Sequence, residues 1–231
     1  MLRSTTWSAV LSLADEQWGL VTSQQVEATG IAKSTLARQV RNGVFERAGT
    51  GVYRLKGSGA VEHLELRAAW IQLDPATPAW ERSAAQGVVS HRSAAELFGL
   101  GQLPADIHEF TLPQRKQLRR SDVRLHRARL DDADWTRRGG LPVTRPRRIA
   151  ADLLAEREDP GAVGQIIADA LRAGLESSAD VAAAVAPYAL SHGFRSGDGL
   201  GLLRWLLELS GDPDQATWIA QAARPVGRGD A

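Results

Sequence analysis

The sequence predicts a mainly α-helical protein with small β elements: an N-terminal winged helix-turn-helix, followed by an α+β C-terminal domain that ends in a helical segment. Three observations lead to this prediction. Two short helical patterns and a glycine-tipped hairpin follow one another within residues 22–55. Short strand-like runs lie between residues 88 and 143. From Pro160 onward the apolar spacing is helical.

Two helices are predicted before the turn of the N-terminal domain. Residues 6–18 form the first, because apolar side chains share one face at helical spacing: Trp7, Val10, Leu11, Ala14 and Trp18. Thr22 begins the second as part of a capping box, in which its hydroxyl accepts the amide of Gln25 and the Gln25 side chain reaches back. Gly30 is expected to end this helix in the left-handed conformation.

A third helix is predicted from about Lys33 to Asn42, with Leu36 and Val40 on its buried side. Ala32 stands where a Ser or Thr cap is expected, and its lack of a hydroxyl costs roughly 1 kcal/mol of helix stability. The opposite face carries side chains suited to phosphates and base edges. We expect this set to contact DNA: Lys33, Ser34, Thr35, Arg38, Gln39 and Arg41.

The runs 44–48 and 52–55 are joined by Gly49-Thr50-Gly51 and predict a β-hairpin. The second and third predicted helices alone are also compatible with an ordinary helical hairpin whose charged face is exposed to water. The added hairpin favours DNA binding. Its expected contacts to the DNA backbone or minor groove come from Arg47, Thr50 and Arg54.

A glycine-rich joint at residues 57–59 predicts a boundary between a DNA-binding domain, 1–56, and a second domain, 60–231. The second domain is predicted to contain a helix at 61–73, a buried strand at 88–89, and a helix that Ser90 caps, that runs through Phe98 and that Gly99 stops. Paired strands at 107–112 and 123–128, a strand at 141–143 and a helix from Thr144 through Ala155 follow.

The last part of the chain is predicted to be helical, with a very apolar run at residues 200–209. Internal core is the favoured interpretation of this run, and a contact surface is the alternative. The tail, 224–231, is expected to fray.

Charge is distributed unevenly although the net charge is only +1. Residues 1–56 carry +3 and residues 113–148 carry +8, whereas 57–112 carry −4 and 149–231 carry −6. Such asymmetry is typical of proteins with one surface for nucleic acid. The basic connection, residues 113–121, is a candidate for further DNA contacts through Arg115, Lys116, Arg119 and Arg120, with a solvated loop as the alternative.

Several kinds of chemistry lack their usual signature. The chain has no cysteine, no apolar run of roughly 20 residues and no secretory signal pattern, so we expect a soluble cytoplasmic protein. The best carboxylate group for a metal nuclease, Asp106 and Glu109 with Lys116, is not adjacent on one strand. The histidines show no ligand spacing. We predict no catalytic residues, metal site or cofactor.

With these residues in place, the chain resembles the AbiEi family, the antitoxins of abortive-infection toxin–antitoxin operons. The N-terminal winged-helix segment of the family is similar to residues 19–55, and the opening of its second domain to SHRSAAELFGL, residues 90–100. A recurring Val-Thr-x-Pro-x-Arg-x-x-x-Asp-Leu segment is matched by Val143, Thr144, Pro146, Arg148, Asp152 and Leu153. The resemblance covers residues 7 to about 175.

The resemblance implies a transcriptional autorepressor that binds double-stranded DNA at its own promoter, at sites arranged as inverted repeats. It also implies that the second domain counters a cognate toxin of the nucleotidyltransferase type. Direct contact with the toxin is not required, since the second domain could modify the toxin or act on its product.

Two other classes of protein stay open. A stand-alone winged-helix regulator with a ligand-sensing second domain would need a concave apolar pocket. An enzyme acting on nucleic acid would need two carboxylates close in space. Inspecting the gene next to this one is the cheapest way to distinguish the antitoxin, the stand-alone regulator and the enzyme.

Overall fold

The computed structural model describes residues 2–118 and 120–224. It confirms the predicted fold class, mainly α-helical with small β elements. The winged helix-turn-helix consists of α1 (Leu2–Glu16), β1 (Leu20–Thr22), α2 (Ser23–Ala28), α3 (Lys33–Arg41), β2 (Phe45–Gly49) and β3 (Val52–Leu55). No helix of the described residues is long and apolar enough to cross a membrane.

The three strands of this region form one antiparallel sheet in the order β1-β3-β2. Val21 is the partner of Tyr53 across β1 and β3, and Phe45 is the partner of Leu55 across β2 and β3. The sequence analysis did not predict β1, which is only three residues long. Beneath the sheet and helices lies a core of buried side chains: Val10, Ala14, Val21, Val26, Ile31, Leu36 and Phe45.

Helix ends in this region follow the local sequence. The capping box is confirmed, because the Thr22 hydroxyl accepts the Gln25 amide at 3.0 Å and the Gln25 side chain accepts the Thr22 amide at 3.0 Å. Ala32 precedes α3 and no side chain caps this helix, as predicted. Gly30 has a φ of +87°, and a residue with a side chain would be strained in this backbone conformation.

Residues beyond the predicted joint complete the packing of the winged helix. Gln17 is fully buried and exchanges amide hydrogen bonds with Gln25, at 3.0 and 3.1 Å. The side-chain oxygen of Gln17 also accepts the backbone amide of Ala79 at 2.8 Å. The Thr22 hydroxyl donates to the carbonyl of Pro75. Gln17, next to the end of α1, and Thr22 of β1 are therefore partly satisfied by the segment that follows α4 (Leu64–Leu73).

The remaining elements are β4 (Val88–Val89), α5 (His91–Phe98), β5 (His108–Leu112), β6 (Val123–Arg127), β7 (Trp135–Arg138), β8 (Leu141–Thr144), α6 (Pro146–Ala155), α7 (Pro160–Arg172), α8 (Ser178–Val185), α9 (Gly199–Ser210) and α10 (Gln215–Ala222). A second sheet has the strand order β6-β5-β4-β8-β7. Its β4 and β8 are parallel, with Val89 opposite Val143. The pairing of β5 with β6 was predicted, whereas β7 was not.

The C-terminal helices pack closely through glycine. A Cβ atom at Gly164 of α7 would overlap the carbonyl oxygen of Leu206 on α9, so the two helices approach each other at a point where only glycine fits. Leu202, Leu203, Leu206 and Leu207 of α9 are buried, which confirms the core interpretation of this apolar run, although Leu209 is 49% exposed. Of the tail, residues 225–231 lie outside the described part of the chain.

The chain divides into two compact units. One contains the residues up to Val88 together with Phe110–Arg129 and Gly139–Pro142, and the other contains Val89–Glu109, Leu130–Arg138 and the residues from Val143 onward. The winged helix and α4 belong to the same unit. Independent folding of residues 1–56 and 60–231 stays a prediction.

Candidate nucleic-acid interface

The outward face of α3 carries most of the side chains that were predicted to contact DNA. Lys33, Ser34, Arg38 and Arg41 are exposed, and Thr35 and Gln39 are half-buried. On the opposite side Leu36 is 2% exposed and anchors the helix in the core. Apolar spacing on one side of α3 therefore fixes which polar side chains reach the surrounding solvent.

Electrostatic pairing leaves the cations of α3 available. Lys33 lies 3.4 Å from the Glu27 carboxylate, but the two side chains are 72% and 38% exposed, and such pairs contribute little. Within the described part of the chain, neither Arg38 nor Arg41 forms an ion pair. Phosphates would meet these guanidinium groups without displacing an internal carboxylate.

The hairpin that follows α3 is held from two sides. Ser23, the first residue of α2, donates its amide to the carbonyl of Gly51 at 2.9 Å. On the other side the Gln72 side chain donates to the carbonyl of Thr50 at 2.6 Å. Arg47 is exposed, and its Nε donates to the carbonyl of Gly49 at 3.2 Å beside an irregularity in strand register. The hairpin tip is thus positioned before any DNA is bound.

Arg54 differs from the other basic residues of the hairpin. Its guanidinium donates to the carbonyls of Ser58 and Gly59, at 3.1 and 2.7 Å, and lies 3.5 Å from the Glu46 carboxylate. Only 19% of the side chain is exposed. These contacts fix the start of the glycine-rich joint against β3. We therefore leave Arg54 out of the interface proposed below.

The basic connection is attached to α4 rather than free. The Lys116 ammonium group contacts the carbonyl of Leu73, and the Arg120 guanidinium binds both Asp122 and the side-chain oxygen of Gln72. Arg115 is exposed and forms no ion pair with a described residue. Arg119 lies outside the described residues.

Residues 8–56 match the family described as "Transcriptional regulator, AbiEi antitoxin". The AbiEi resemblance is confirmed over these residues, whereas the similar segments at 90–100 and 143–153 lie outside the match. This N-terminal segment contains α3 and the hairpin, and hence the residues whose geometry is described above. A search of curated proteins found no match.

Beyond the matched AbiEi segment, the Ser-His-x-Ser-Ala motif holds α5 against β5. The Ser93 hydroxyl donates to the carbonyl of Ile107 at 3.1 Å and accepts the amide of Glu109 at 2.9 Å. In return the Glu109 carboxylate, 2% exposed, accepts the amide of Arg92 in the first turn of α5 at 3.0 Å. A carboxylate at a helix N-terminus is stabilised by the helix dipole.

The segment at residues 143–153, which follows the Val-Thr-x-Pro-x-Arg pattern, forms an ion-pair network. Arg148 of α6 donates to Asp152 at 2.8 Å and lies 3.1 Å from the Asp134 carboxylate. Burial alone would lower the pKa of Arg148, but the charges of Asp152 and Asp134 and the hydrogen bond to Asp152 outweigh it and raise that pKa. The motif Arg and Asp therefore hold the start of α6 in place.

The residues once considered for a nuclease have separate structural roles. Glu109 is committed to the first turn of α5, and Lys116 contacts the end of α4. The positioning roles of Gln17 and Gln72 were not predicted from the sequence, and Gln25 was predicted only as part of the capping box. Only the capping role of Gln25 has a local signal, because the other partners are distant in sequence.

Proposed function

We propose that the protein is a DNA-binding antitoxin that represses transcription of its own operon and counteracts a nucleotidyltransferase-like toxin encoded with it. One observation supports the DNA-binding part most strongly. The segment that matches the AbiEi regulators presents a helix whose arginines are exposed and unpaired among the described residues, next to a hairpin held from two sides.

The docking we propose places α3 in the major groove, where the recognition helix of a helix-turn-helix reads base edges. Arg38 contacts bases, because it is exposed and projects opposite the buried Leu36, and the half-buried Gln39 contacts bases beside it. Lys33, Ser34, Thr35 and Arg41 contact phosphates or flanking bases. Arg47 and Thr50 reach the DNA backbone or the minor groove from the hairpin.

The test of this docking is a titration of promoter DNA with the full chain carrying Arg38→Ala. Loss of one good base contact should weaken binding to the cognate site by about 1–3 kcal/mol and relax the sequence preference. Arg204→Ala is the matched control, because Arg204 is exposed on α9 and the change removes the same charge. Equal affinities for wild type and Arg38→Ala would exclude this role for α3.

Autorepression is tested by fusing the upstream DNA of the operon to a reporter gene. Wild-type protein supplied in trans should lower expression, and Arg38→Ala should restore it. Two-fold symmetric sites are expected, so scrambling one of two inverted repeats should weaken repression. Unchanged reporter expression in the presence of wild-type protein would contradict autorepression.

Antitoxin activity is tested separately from repression. The toxin gene is expressed from an unrelated promoter together with full-length protein carrying both Arg38→Ala and Arg41→Ala, and growth is followed. We expect this variant to rescue growth, because residues 149–231 carry a net charge of −6 and are better suited to a protein partner than to DNA. If this variant does not rescue growth, and wild type rescues it only when the toxin gene is under its native promoter, then neutralisation is only repression of the toxin gene.

A ligand-sensing regulator is the second candidate. Its support is a cleft of about 400 Å³ in the unit that contains the C-terminal helices, within the size range of small-molecule sites. The cleft is lined by Phe98, Gly99, Leu100, Arg138, Asp169, Arg172, Ala173 and Leu175. A regulator of this class would have no toxin gene beside its own, which separates the two candidates.

A further inference from the structure

Gln72 connects two basic elements that are far apart in sequence. The amide of this α4 residue is used at both ends: its nitrogen donates to the Thr50 carbonyl in the hairpin tip at 2.6 Å, and its oxygen accepts a hydrogen bond from Arg120 of the basic connection. Since an amide offers both a donor and an acceptor, one side chain can hold both elements at once.

A second attachment lies next to the first. Lys116 contacts the carbonyl of Leu73, the last residue of α4, where a cation is favoured by the unpaired carbonyls and the negative end of the helix dipole. The basic connection is therefore fixed to α4 at consecutive residues, 72 and 73. Much of the conformational entropy that a free loop would lose on binding has already been lost on folding.

The charges at these attachments are not equivalent. Asp122 binds the Arg120 guanidinium, with 2.8 Å between Nε and Oδ1, so Arg120 serves as an anchor rather than a free cation. Arg115 is exposed and has no ion pair with a described residue, and the partner of Lys116 is a carbonyl rather than a carboxylate. Arg115 and Lys116 are thus the described cations of the basic connection that are available to a ligand, whereas Arg120 anchors it.

We propose that the basic connection is a second phosphate-binding element, held beside the hairpin tip by Gln72, and that it extends the DNA contact onto the duplex flanking the hairpin. Arg115 contacts phosphate, and Gln72 is a positioning residue for both elements. This inference rests on the proposed DNA binding through α3, because the hairpin has to be docked before the connection reaches flanking DNA.

The test uses the full chain and a duplex that wild-type protein selects from a random pool, prepared with and without flanking base pairs. Each phosphate contact contributes about 0.9 to the slope of log affinity against log salt. On the flanked duplex, Arg115→Ala should lower the magnitude of this slope by about 0.9. On the duplex without flanks, the slopes of Arg115→Ala and wild type should be equal. Arg204→Ala controls for net charge.

Positioning by Gln72 is tested with Gln72→Ala and Gln72→Glu. The alanine variant loses both hydrogen bonds of the Gln72 amide, to Thr50 and to Arg120, so its salt slope on the flanked duplex should fall at least as far as that of Arg115→Ala. The glutamate variant keeps an acceptor for Arg120 but has no donor for Thr50, so Arg115 should still contribute its slope increment. Gln221→Ala, an exposed change on α10, should match wild type.

Two failures can be told apart. If wild type binds no duplex, or if Arg38→Ala binds as wild type does, the docking through α3 is wrong. If Arg38→Ala weakens binding while Arg115→Ala leaves the slope unchanged on the flanked duplex, or changes it equally on both duplexes, the second phosphate-binding element is wrong. In that case the connection is either solvated or available to an acidic protein partner.

Discussion

Neither α3 nor α6 is capped by the side chain of its own N-cap residue. The two helices differ in whether a side chain from elsewhere in the chain lies at the first turn. Ala32 precedes α3, and Arg145 precedes α6, with no side-chain cap at either position. At α6 the Glu176 carboxylate, brought from elsewhere in the chain, lies 3.4 Å from the amide of Arg147. At α3 the part of the chain that the structure describes supplies no side-chain cap.

The arginines of the two helices differ in the same way. Arg147 pairs with Glu176 at 2.9 Å and Arg148 with Asp152 and Asp134, whereas Arg38 and Arg41 have no ion pair among the described residues. The zone 113–148 is the most basic of the chain at +8, but part of that charge is neutralised internally. Availability of a cation, rather than its number in the sequence, distinguishes an interface from a structural network.

The largest effect that would test this comparison is expected for Arg147→Ala. The Glu176 side chain is only 2% exposed, so removal of its partner leaves a buried carboxylate and should destabilise the protein by about 3 kcal/mol. Urea unfolding followed by tryptophan fluorescence measures the loss, with Arg204→Ala as the exposed control. A change no larger than that of the control would mean that α6 does not depend on this pair.

For Arg41→Ala on α3 we expect a smaller effect on stability than for Arg147→Ala, together with a loss of affinity for DNA. Its guanidinium is exposed and unpaired among described residues, so the free energy of unfolding should change by no more than about 0.5 kcal/mol. Affinity for all duplexes should fall together, with a salt slope lower by about 1. Substantial destabilisation by Arg41→Ala would remove the distinction between the two helices.

The smallest effect is expected for Ala32→Ser, which supplies α3 with the missing cap. Ala32 already has the extended conformation of an N-cap residue, with φ of −66° and ψ of 148°. A serine hydroxyl there should stabilise the protein by about 1 kcal/mol or less. Thermal unfolding of the wild-type protein and of the Ala32→Ser variant measures this gain in stability. No gain would show that another group already satisfies the first turn of α3.

Local signals allowed most of the winged helix to be predicted. Thr22 and Gln25 are three residues apart, and a capping box involves no other part of the chain, so its prediction from sequence was reliable. The outward face of α3 followed from the spacing of Leu36 and Val40. The strand β7 was missed because it is a mostly polar run at a sheet edge, without the alternation of a half-buried strand.

Contacts between residues distant in sequence could not be predicted. Gln72 and Arg120 are 48 residues apart, and Gln17 reaches an amide 62 residues away. A pattern search ranks Arg54 with Arg47, because both are basic residues on hairpin arms. Only the positions of Ser58 and Gly59 show that Arg54 is used internally. Which cations remain available is therefore decided by the tertiary structure.

The buried glutamines also limit how the DNA-binding segment could be exchanged between proteins by recombination or by engineering. A fusion that ended at the glycine-rich joint would remove Ala79 and Pro75, and with them one hydrogen-bond partner each of Gln17 and Thr22. Each buried polar group left without a partner costs about 1–3 kcal/mol. A transplant of the DNA-binding segment should therefore keep Pro75 and Ala79, which belong to the same compact unit as the winged helix.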